Sequence, residues 1–196
     1  MPKHLWAFLL AKLPDLKTIY QVINWHQSNR EKPPGESVGL FAVLPKEIAC
    51  QFPSIGKEGE DSSPAHVTVL YIGDMPRQFE KKLIKVVGSI CEKIRPFKLR
   101  LGRPRKFVND EGQIILHSPV KSNRLHKLND LLKQELMNNQ INVVNKFPEY
   151  KPHVTIAYCN SRKELKAFKD VHPEGEWMID SLWVWGGAEP HLIQFK

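Results

Sequence analysis

"HVTVLY" at residues 66–71 and "HVTIAY" at residues 153–158 are nearly the same hexapeptide, and one copy lies in each half of the 196-residue chain. Four of the six positions are identical: His, Val, Thr and Tyr. Threonine occurs only at positions 18, 68 and 155, and two of these three threonines follow a histidine by two residues. The repeat predicts a chain built from two related halves, each with one copy of the hexapeptide.

Both copies are rich in β-branched residues, which is typical of a strand. Because successive side chains of a strand point to opposite faces, His66 and Thr68 share one face, and so do His153 and Thr155. The Val and Ile positions between them suit a buried core. If an approximate two-fold axis relates the halves, both His–Thr pairs line one site between them.

The remaining pattern predicts an α+β fold made of two related halves, preceded by an extension. Apolar residues recur at helical spacing over 4–28, and a linker rich in Pro and Gly follows, so we expect an N-terminal helical extension over residues 1–35 and a main domain over residues 36–196. Within the main domain, strands are predicted at 38–45, 65–73, 113–120 and 152–159, with further strands inside 97–108 and 177–195. Helices are predicted at 77–95, at 122–139 with Ser122 or Asn123 as N-cap, and at 161–170.

Composition favours a soluble protein with an anionic partner. Hydrophobic residues make up 41% and charged residues 26%, and the net charge is +8 with a pI near 9.4. This charge suits a nucleic acid or a nucleotide, and a solvated lysine face is the alternative. The three cysteines form no C-x-x-C pair, and no apolar stretch approaches the roughly 20 residues of a membrane span, so we expect a cytoplasmic protein without a metal, cofactor or membrane partner.

Two histidines that flank a phosphate can divide acid–base work. A neutral imidazole takes a proton from the attacking hydroxyl or water, and a protonated imidazole gives one to the leaving oxygen. The unperturbed pKa of histidine, about 6.5, lets both forms exist near neutrality. Each Thr hydroxyl can donate a hydrogen bond to a non-bridging oxygen and stabilise the charge of the transition state. A single H-x-T is more often structural, whereas two copies in matching halves favour catalysis.

These residues resemble the 2H phosphoesterase superfamily, which has two H-x-[ST]-hydrophobic motifs and is also described as the RNA 2′,5′-ligase-like or cyclic phosphodiesterase fold. "HVTV" at 66 and "HVTI" at 153 match that pattern, and the resemblance covers about residues 36–195. It implies a bilobal pseudo-two-fold fold in which two antiparallel sheets line a central cleft with helices outside. "VGLFAVLP", "IILHSPV" and "MIDSLWVWGG" are similar to the form found in phage-associated members.

The resemblance also implies metal-independent chemistry on RNA ends or small nucleotides. The substrates that it leaves open are 2′,3′-cyclic phosphates, 2′–5′ linkages and cyclic oligonucleotide signals. An RNA-binding accessory module of a phage or RNA-processing system, with weak or vestigial catalysis, is the alternative. Neither the oligomeric state nor the division of acid and base roles follows from the sequence.

Five further residues are candidates for substrate binding, each with a plain structural alternative. They are basic residues or histidines that lie near a motif, in the basic cluster "RLGRPRK" at 100–106, on the strand before the second motif or at a helix start: Lys151, Arg103, Arg105, His117 and Arg124.

Aromatic residues near the motifs and at the end of the chain suggest packing. Strand alternation assigns Tyr71 and Tyr158 to the face away from the histidines, so they are predicted to pack in the core. Trp177, Trp183 and Trp185 are predicted to share one face, as part of the core or as a wall of the cleft.

Overall fold

The computed structural model describes residues 37–53, 65–110, 112–144, 149–186 and 189–196. The helix predicted at 4–28 and the linker after it lie outside these ranges. The strands are β1 Ser37–Val43, β2 His66–Asp74, β3 Phe97–Leu101, β4 Arg105–Val108, β5 Ile114–Lys121, β6 His153–Cys159, β7 Glu176–Ile179, β8 Ser181–Trp185 and β9 His191–Gln194. The helices are α1 Lys46–Ala49, α2 Glu80–Cys91, which follows a 3₁₀ turn at Arg77–Phe79, α3 Asn123–Asn138 and α4 Arg162–Ala167.

The described strands form two antiparallel sheets, one for each copy of the hexapeptide. The first has the order β2–β1–β8–β9. In the second sheet, β6 pairs with one edge of β5. Strands β4 and β3 also pair with β5, and β7 pairs with β3. Each motif strand, β2 or β6, therefore lies next to one central strand, β1 or β5. The prediction of an α+β fold with two antiparallel sheets is confirmed.

One core holds both sheets and the longer helices together. Helices α2 and α3 contact each other, and each buries apolar residues at helical spacing. The core side chains that are almost completely buried include Leu40, Leu83, Leu99, Leu132 and Ile156. Ser122 caps α3, since its hydroxyl accepts a hydrogen bond from the Leu125 amide at 3.2 Å, which confirms the predicted N-cap. Within the described ranges, every helix is too short or too polar to cross a membrane.

A second, smaller apolar cluster lies on the other face of the first sheet. Trp183 and Trp185 of β8 form it, with Phe41, Val43 and Leu192 packed against them. Trp177 belongs instead to the main core, on β7 of the second sheet. The expectation that all three tryptophans share one face is wrong, because β7 and β8 are separate strands of different sheets.

Candidate active site

The first motif strand carries a bulge directly after its threonine. In the β1–β2 ladder, Phe41 pairs with Thr68 while Leu40 pairs with Leu70, so Val69 is an extra residue without a partner on β1. A bulge of this kind interrupts the alternation of faces along the strand. Val69 and Leu70 are accordingly both buried in the core, although they are adjacent in sequence.

The second motif strand carries the same bulge at the same place. In the β5–β6 ladder, His117 pairs with Thr155 while Leu116 pairs with Ala157, so Ile156 is the extra residue. Ile156 and Ala157 are both buried, like their counterparts in the first sheet. The repeat of the hexapeptide is therefore a repeat of backbone geometry as well as of sequence.

The bulges place the two motif tyrosines on the same face as the histidines. Tyr71 pairs with Gly39 and Tyr158 pairs with Ile115, and these partners alternate in phase with Phe41 and His117. The Tyr158 side chain is 52% exposed, and the Tyr71 hydroxyl donates to Ser37 Oγ at 2.8 Å. The prediction that the tyrosines face away from the histidines is wrong, because simple alternation does not account for the extra residue. We call this shared side of β2 and β6, opposite to the core, the histidine face.

Three strands of one sheet match three strands of the other around the motifs. Strands β8, β1 and β2 correspond to β4, β5 and β6, with the motif strand outermost in each set. The residues level with each motif threonine are Phe41 and Trp183 in the first sheet, and His117 and Arg105 in the second. Trp185 of the first sheet corresponds in the same way to Phe107 of the second.

His66 stands in an aromatic environment. Its ring lies edge-on to Phe41 and to Trp185, with centroid distances of 5.0 Å in both cases. Phe41 and Trp185 stack on each other at 4.4 Å, so the two rings form a rigid support. This packing limits the rotamers that the imidazole can adopt.

His153 is oriented by a main-chain carbonyl and by two rings. Its Nδ1 lies 2.7 Å from the carbonyl oxygen of Lys151. Because a carbonyl can only accept, Nδ1 carries the hydrogen, and Nε2 of the neutral ring is left as the acceptor. The rings of His117 and Phe107 lie at centroid distances of 5.1 and 5.7 Å. The site therefore presents one defined nitrogen of His153 for proton transfer.

His117 is a third histidine on this face, at half-buried depth on β5. Burial lowers its pKa most, and the electrostatic interaction with His153 lowers it further. The Ile115 carbonyl acts in the opposite direction, and the Arg105 guanidinium adds a smaller lowering effect. The neutral form of His117 is therefore favoured beside the second motif.

Two side chains of the second half hold the backbone of the first motif. The Tyr150 hydroxyl donates to the carbonyl oxygen of Thr68 at 3.0 Å, and Asn129 Nδ2 of α3 donates to that of Val69 at 2.6 Å. Burial raises the pKa of the Tyr150 phenol, so the hydroxyl stays neutral and able to donate. Strands β2 and β6 also contact each other. The sequence gives no signal for these links, since neither residue belongs to a motif.

Four of the five candidate substrate-binding residues lie in the second sheet or in segments next to its strands. Arg105 and His117 are cross-strand neighbours on the histidine face. Arg103 is exposed in the turn between β3 and β4. The Lys151 side chain is 76% exposed and pairs with Glu149 at 3.0 Å, so the contact of Lys151 with His153 is made by its backbone.

Arg124 has structural partners at the start of α3. Its guanidinium donates to the carbonyl oxygen of Arg95 at 2.9 Å and to that of Pro96 at 3.4 Å, and it lies 4.7 Å from the ring centroid of Phe97. These contacts tie α3 to the segment after α2. An anion-binding role of Arg124 stays a prediction, as do the substrate contacts of the other four residues.

Within the ranges that the structure describes, no group of three or more His, Cys, Asp or Glu side chains is placed to hold a metal ion.

Comparison with known proteins identifies the family of this chain. The family model described as the 2'-5' RNA ligase superfamily matches residues 50–189, which include both motifs. The chain therefore belongs to the 2'-5' RNA ligase superfamily, and the resemblance that the two H-x-T motifs indicate is confirmed. The association with phage members stays a prediction.

A curated relative matches part of the chain. It is the RNA 2′,3′-cyclic phosphodiesterase of Bacillus subtilis (strain 168), which is 28% identical over 93 residues. The match covers 47% of this chain and 50% of the relative, so it spans about half the length of that protein.

Solved structures of low sequence identity share the fold. TT0787 of Thermus thermophilus has a TM-score of 0.58 at 14% identity, covering 82% of this chain and 95% of that one. Kluyveromyces marxianus Usb1 with uridine monophosphate has a TM-score of 0.55 at 10% identity, covering 83% and 99%. Escherichia coli LigT complexed with 3′-AMP has a TM-score of 0.51 at 16% identity, covering 83% and 96%. These TM-scores show a shared fold.

Proposed function

We propose that the protein is a metal-independent phosphodiesterase that hydrolyses a nucleotide phosphodiester with its two histidines. The observation that carries this proposal is the double occurrence of one local geometry. In each sheet a histidine and a threonine share a face, the same bulge follows the threonine, and the two motif strands contact each other. A structural strand has no need for a matched His–Thr pair in both halves, whereas acid–base catalysis at phosphorus does.

The proposed reaction uses water and leaves a phosphomonoester. One imidazole takes a proton from water as the water oxygen forms a bond to phosphorus. The bond from phosphorus to the leaving ribose oxygen breaks, and the protonated imidazole of the other motif gives its proton to that oxygen. The two rings end the reaction with exchanged protonation states, and proton exchange with solvent restores them.

The threonines supply hydrogen bonds to the non-bridging oxygens. Thr68 and Thr155 each lie two residues after a histidine and on the same face as that histidine. Each bulge comes after the threonine, so side chains alternate regularly between the histidine and the threonine. A hydroxyl fixed in place before the reaction costs no reorganisation when negative charge builds up on those oxygens. Tyr150 fixes the backbone of Thr68, and the Lys151 carbonyl fixes the tautomer of His153.

Among the three substrate classes we place the 2′,3′-cyclic phosphate at the end of an RNA first. The curated relative with partial identity is an RNA 2′,3′-cyclic phosphodiesterase. The basic charge of the chain suits an RNA end. The 2′–5′ linkage and the cyclic oligonucleotide are competing substrates for the same pair of histidines. Binding without turnover is the alternative function, and the intact His–Thr pairs speak against it.

A substrate panel tests the proposal. The purified full chain is incubated with EDTA and with an RNA oligonucleotide ending in a 2′,3′-cyclic phosphate, a 2′–5′ oligoadenylate or a cyclic dinucleotide, and products are separated by chromatography. We expect opening of the cyclic phosphate to a monoester. Turnover of another class alone would redirect the substrate assignment, and loss of all turnover in EDTA would refute the metal-independent mechanism. Tight RNA binding without any product would favour the accessory module.

A further inference from the structure

The surface beside the second motif is basic where the equivalent surface beside the first motif is aromatic. Level with Thr68, the next two strands carry Phe41 and Trp183, and both belong to or pack against the small apolar cluster. Level with Thr155, the same two positions carry His117 and Arg105. The first sheet shows which residues the fold tolerates at these positions. The fold does not require basic residues there, so their presence in the second sheet points to a ligand.

Arg105 has unused capacity to bind an anion, and the His117 ring lies beside it. His117 Nδ1 is buried, and the Ile115 carbonyl acts on the ring. Within the described ranges, no carboxylate lies within 4.0 Å of the Arg105 guanidinium. The Arg105 charge also acts on the His117 ring, which places the two side chains in one electrostatic environment.

Other cations of the basic cluster at 100–106 differ in this respect. Arg100 Nε lies 3.5 Å from a carboxylate oxygen of Glu176, so its charge is compensated. Lys106 pairs with Leu116, one position away from the Arg105–His117 pair, and therefore points to the opposite face of β4. Along β4, Arg105 is thus the cation that reaches the histidine face.

The Arg105–His117 pair lies one and two strands away from the proposed position of the scissile phosphate. Neighbouring strands lie about 4.8 Å apart, so β5 is about 5 Å and β4 about 10 Å from β6 on the side away from β2. In the proposed reaction the scissile phosphate lies between the two His–Thr pairs, at β2 and β6. A second phosphate of the same substrate would lie at β5 and β4.

We propose that Arg105 and His117 form a subsite for the phosphate next to the scissile one, so that the enzyme prefers oligonucleotides over cyclic mononucleotides. The inference rests on the proposed phosphodiesterase function and names the substrate class of that site. The Arg105 guanidinium supplies charge and paired N–H donors, which suit a phosphate. The His117 ring, at half-buried depth on the neighbouring strand, forms the inner wall of the subsite.

The test compares two substrates that differ by one nucleotide and therefore by one neighbouring phosphate. Adenosine 2′,3′-cyclic phosphate has no neighbouring phosphate, whereas the dinucleotide adenylyl-adenosine 2′,3′-cyclic phosphate has one. We measure kcat/KM for both with the wild type, Arg105→Gln, His117→Phe, which installs the residue of the first sheet, and the control Lys106→Gln. Arg105→Gln is the primary variant because its side chain is exposed, so the fold does not depend on it.

We expect the wild type to prefer the dinucleotide by about tenfold or more, the size of one charge-assisted contact. Arg105→Gln should lose most of that preference while keeping the rate on the mononucleotide, His117→Phe should also lose most of that preference, and Lys106→Gln should behave as the wild type. In Arg105→Gln the slope of log kcat/KM against log salt for the dinucleotide should become shallower by about 0.7, the value for one phosphate contact on a single strand.

Four results would overturn the subsite. Equal wild-type use of both substrates refutes it and leaves the phosphodiesterase function standing. An equal loss on both substrates in Arg105→Gln assigns Arg105 to the scissile phosphate instead. A matching loss in Lys106→Gln shows a general charge effect. If the wild type turns over neither these substrates nor the RNA, 2′–5′ and cyclic oligonucleotide panel, the proposed function itself is refuted and the subsite with it.

Discussion

The hydroxyl of Tyr150 donates a hydrogen bond to the carbonyl oxygen of Thr68 at 3.0 Å, across the boundary between the two halves of the molecule. Tyr150 comes three residues before His153, and Thr68 comes two residues after His66. The same short segment also supplies the Lys151 carbonyl to His153 Nδ1. Residues 150 and 151 therefore hydrogen-bond to both motifs.

Tyr150→Phe should separate positioning from folding. The variant keeps the ring and loses one hydrogen bond to a partly buried carbonyl, so we expect the free energy of unfolding to fall by about 1 kcal/mol. Because the backbone that carries the Thr68 hydroxyl is then held less firmly in position, kcat should fall by about tenfold with little change in KM. Steady-state kinetics and urea unfolding measure both quantities. Tyr71→Phe is the matched control, since it removes a hydroxyl that bonds to Ser37; an equal drop in kcat there would contradict a specific role of Tyr150.

The proposed acid and base roles of the two motif histidines are tested by His66→Ala and His153→Ala. Each variant removes one proton carrier, and we expect kcat to fall by about 10² to 10⁴ in both. The wild-type pH–rate profile should be bell-shaped, with one limb reporting the base and the other the acid. Each variant should lose one limb, which identifies the base and the acid. Full activity of either folded variant, checked by circular dichroism, would rule out the two-histidine mechanism.

The threonine hydroxyls are tested by valine, which keeps the shape of the side chain. In Thr68→Val and Thr155→Val we expect kcat to fall by about 10² to 10³, the cost of removing one donor to a transition-state oxygen. KM should change less, because the hydrogen bonds strengthen only as charge builds up. The serine variants at both positions are the controls and should keep most of the activity. A rise in KM alone, with kcat unchanged, would assign the hydroxyls to substrate binding.

The strands and the His–Thr pairs were predictable because they rest on local patterns. Runs of β-branched residues define β2 and β6, and a period of two places His66 with Thr68 and His153 with Thr155. The helices α2 and α3 follow from their apolar stripes and, for α3, from the Ser122 cap. Each of these signals is contained within about ten residues of sequence.

The faces of the tyrosines and the links between the halves were not predictable for a physical reason. The extra residues Val69 and Ile156 are defined only by the register of the neighbouring strand, so Tyr71 and Tyr158 change face without any local signal. The contact of Tyr150 with Thr68 joins residues 82 positions apart in the sequence. A single sequence gives no information on such pairings.

The Lys151 side chain is tested by Lys151→Ala. The side chain is mostly exposed and pairs with Glu149, and exposed ion pairs contribute about 0 to 1 kcal/mol. Because the main-chain carbonyl, which alanine retains, orients His153, we expect kcat and the pH–rate profile to stay unchanged. Kinetics over a range of pH checks this. A tenfold rise in KM would instead show that the ammonium group binds the substrate, as the sequence pattern suggested.

The pH dependence of stability is tested by His117→Phe. Burial and the charges of His153 and Arg105 lower the pKa of His117 in the folded protein below its ordinary value of about 6.5. As the pH falls below that ordinary value, the unfolded chain binds this proton more readily than the folded one, so the wild type loses stability. Phenylalanine cannot titrate, so the free energy of unfolding of the variant, relative to the wild type, should rise as the pH falls through this range. Urea unfolding at a series of pH values measures the difference, with the offset at high pH as the baseline. A difference that does not depend on pH would show that His117 titrates alike in both states.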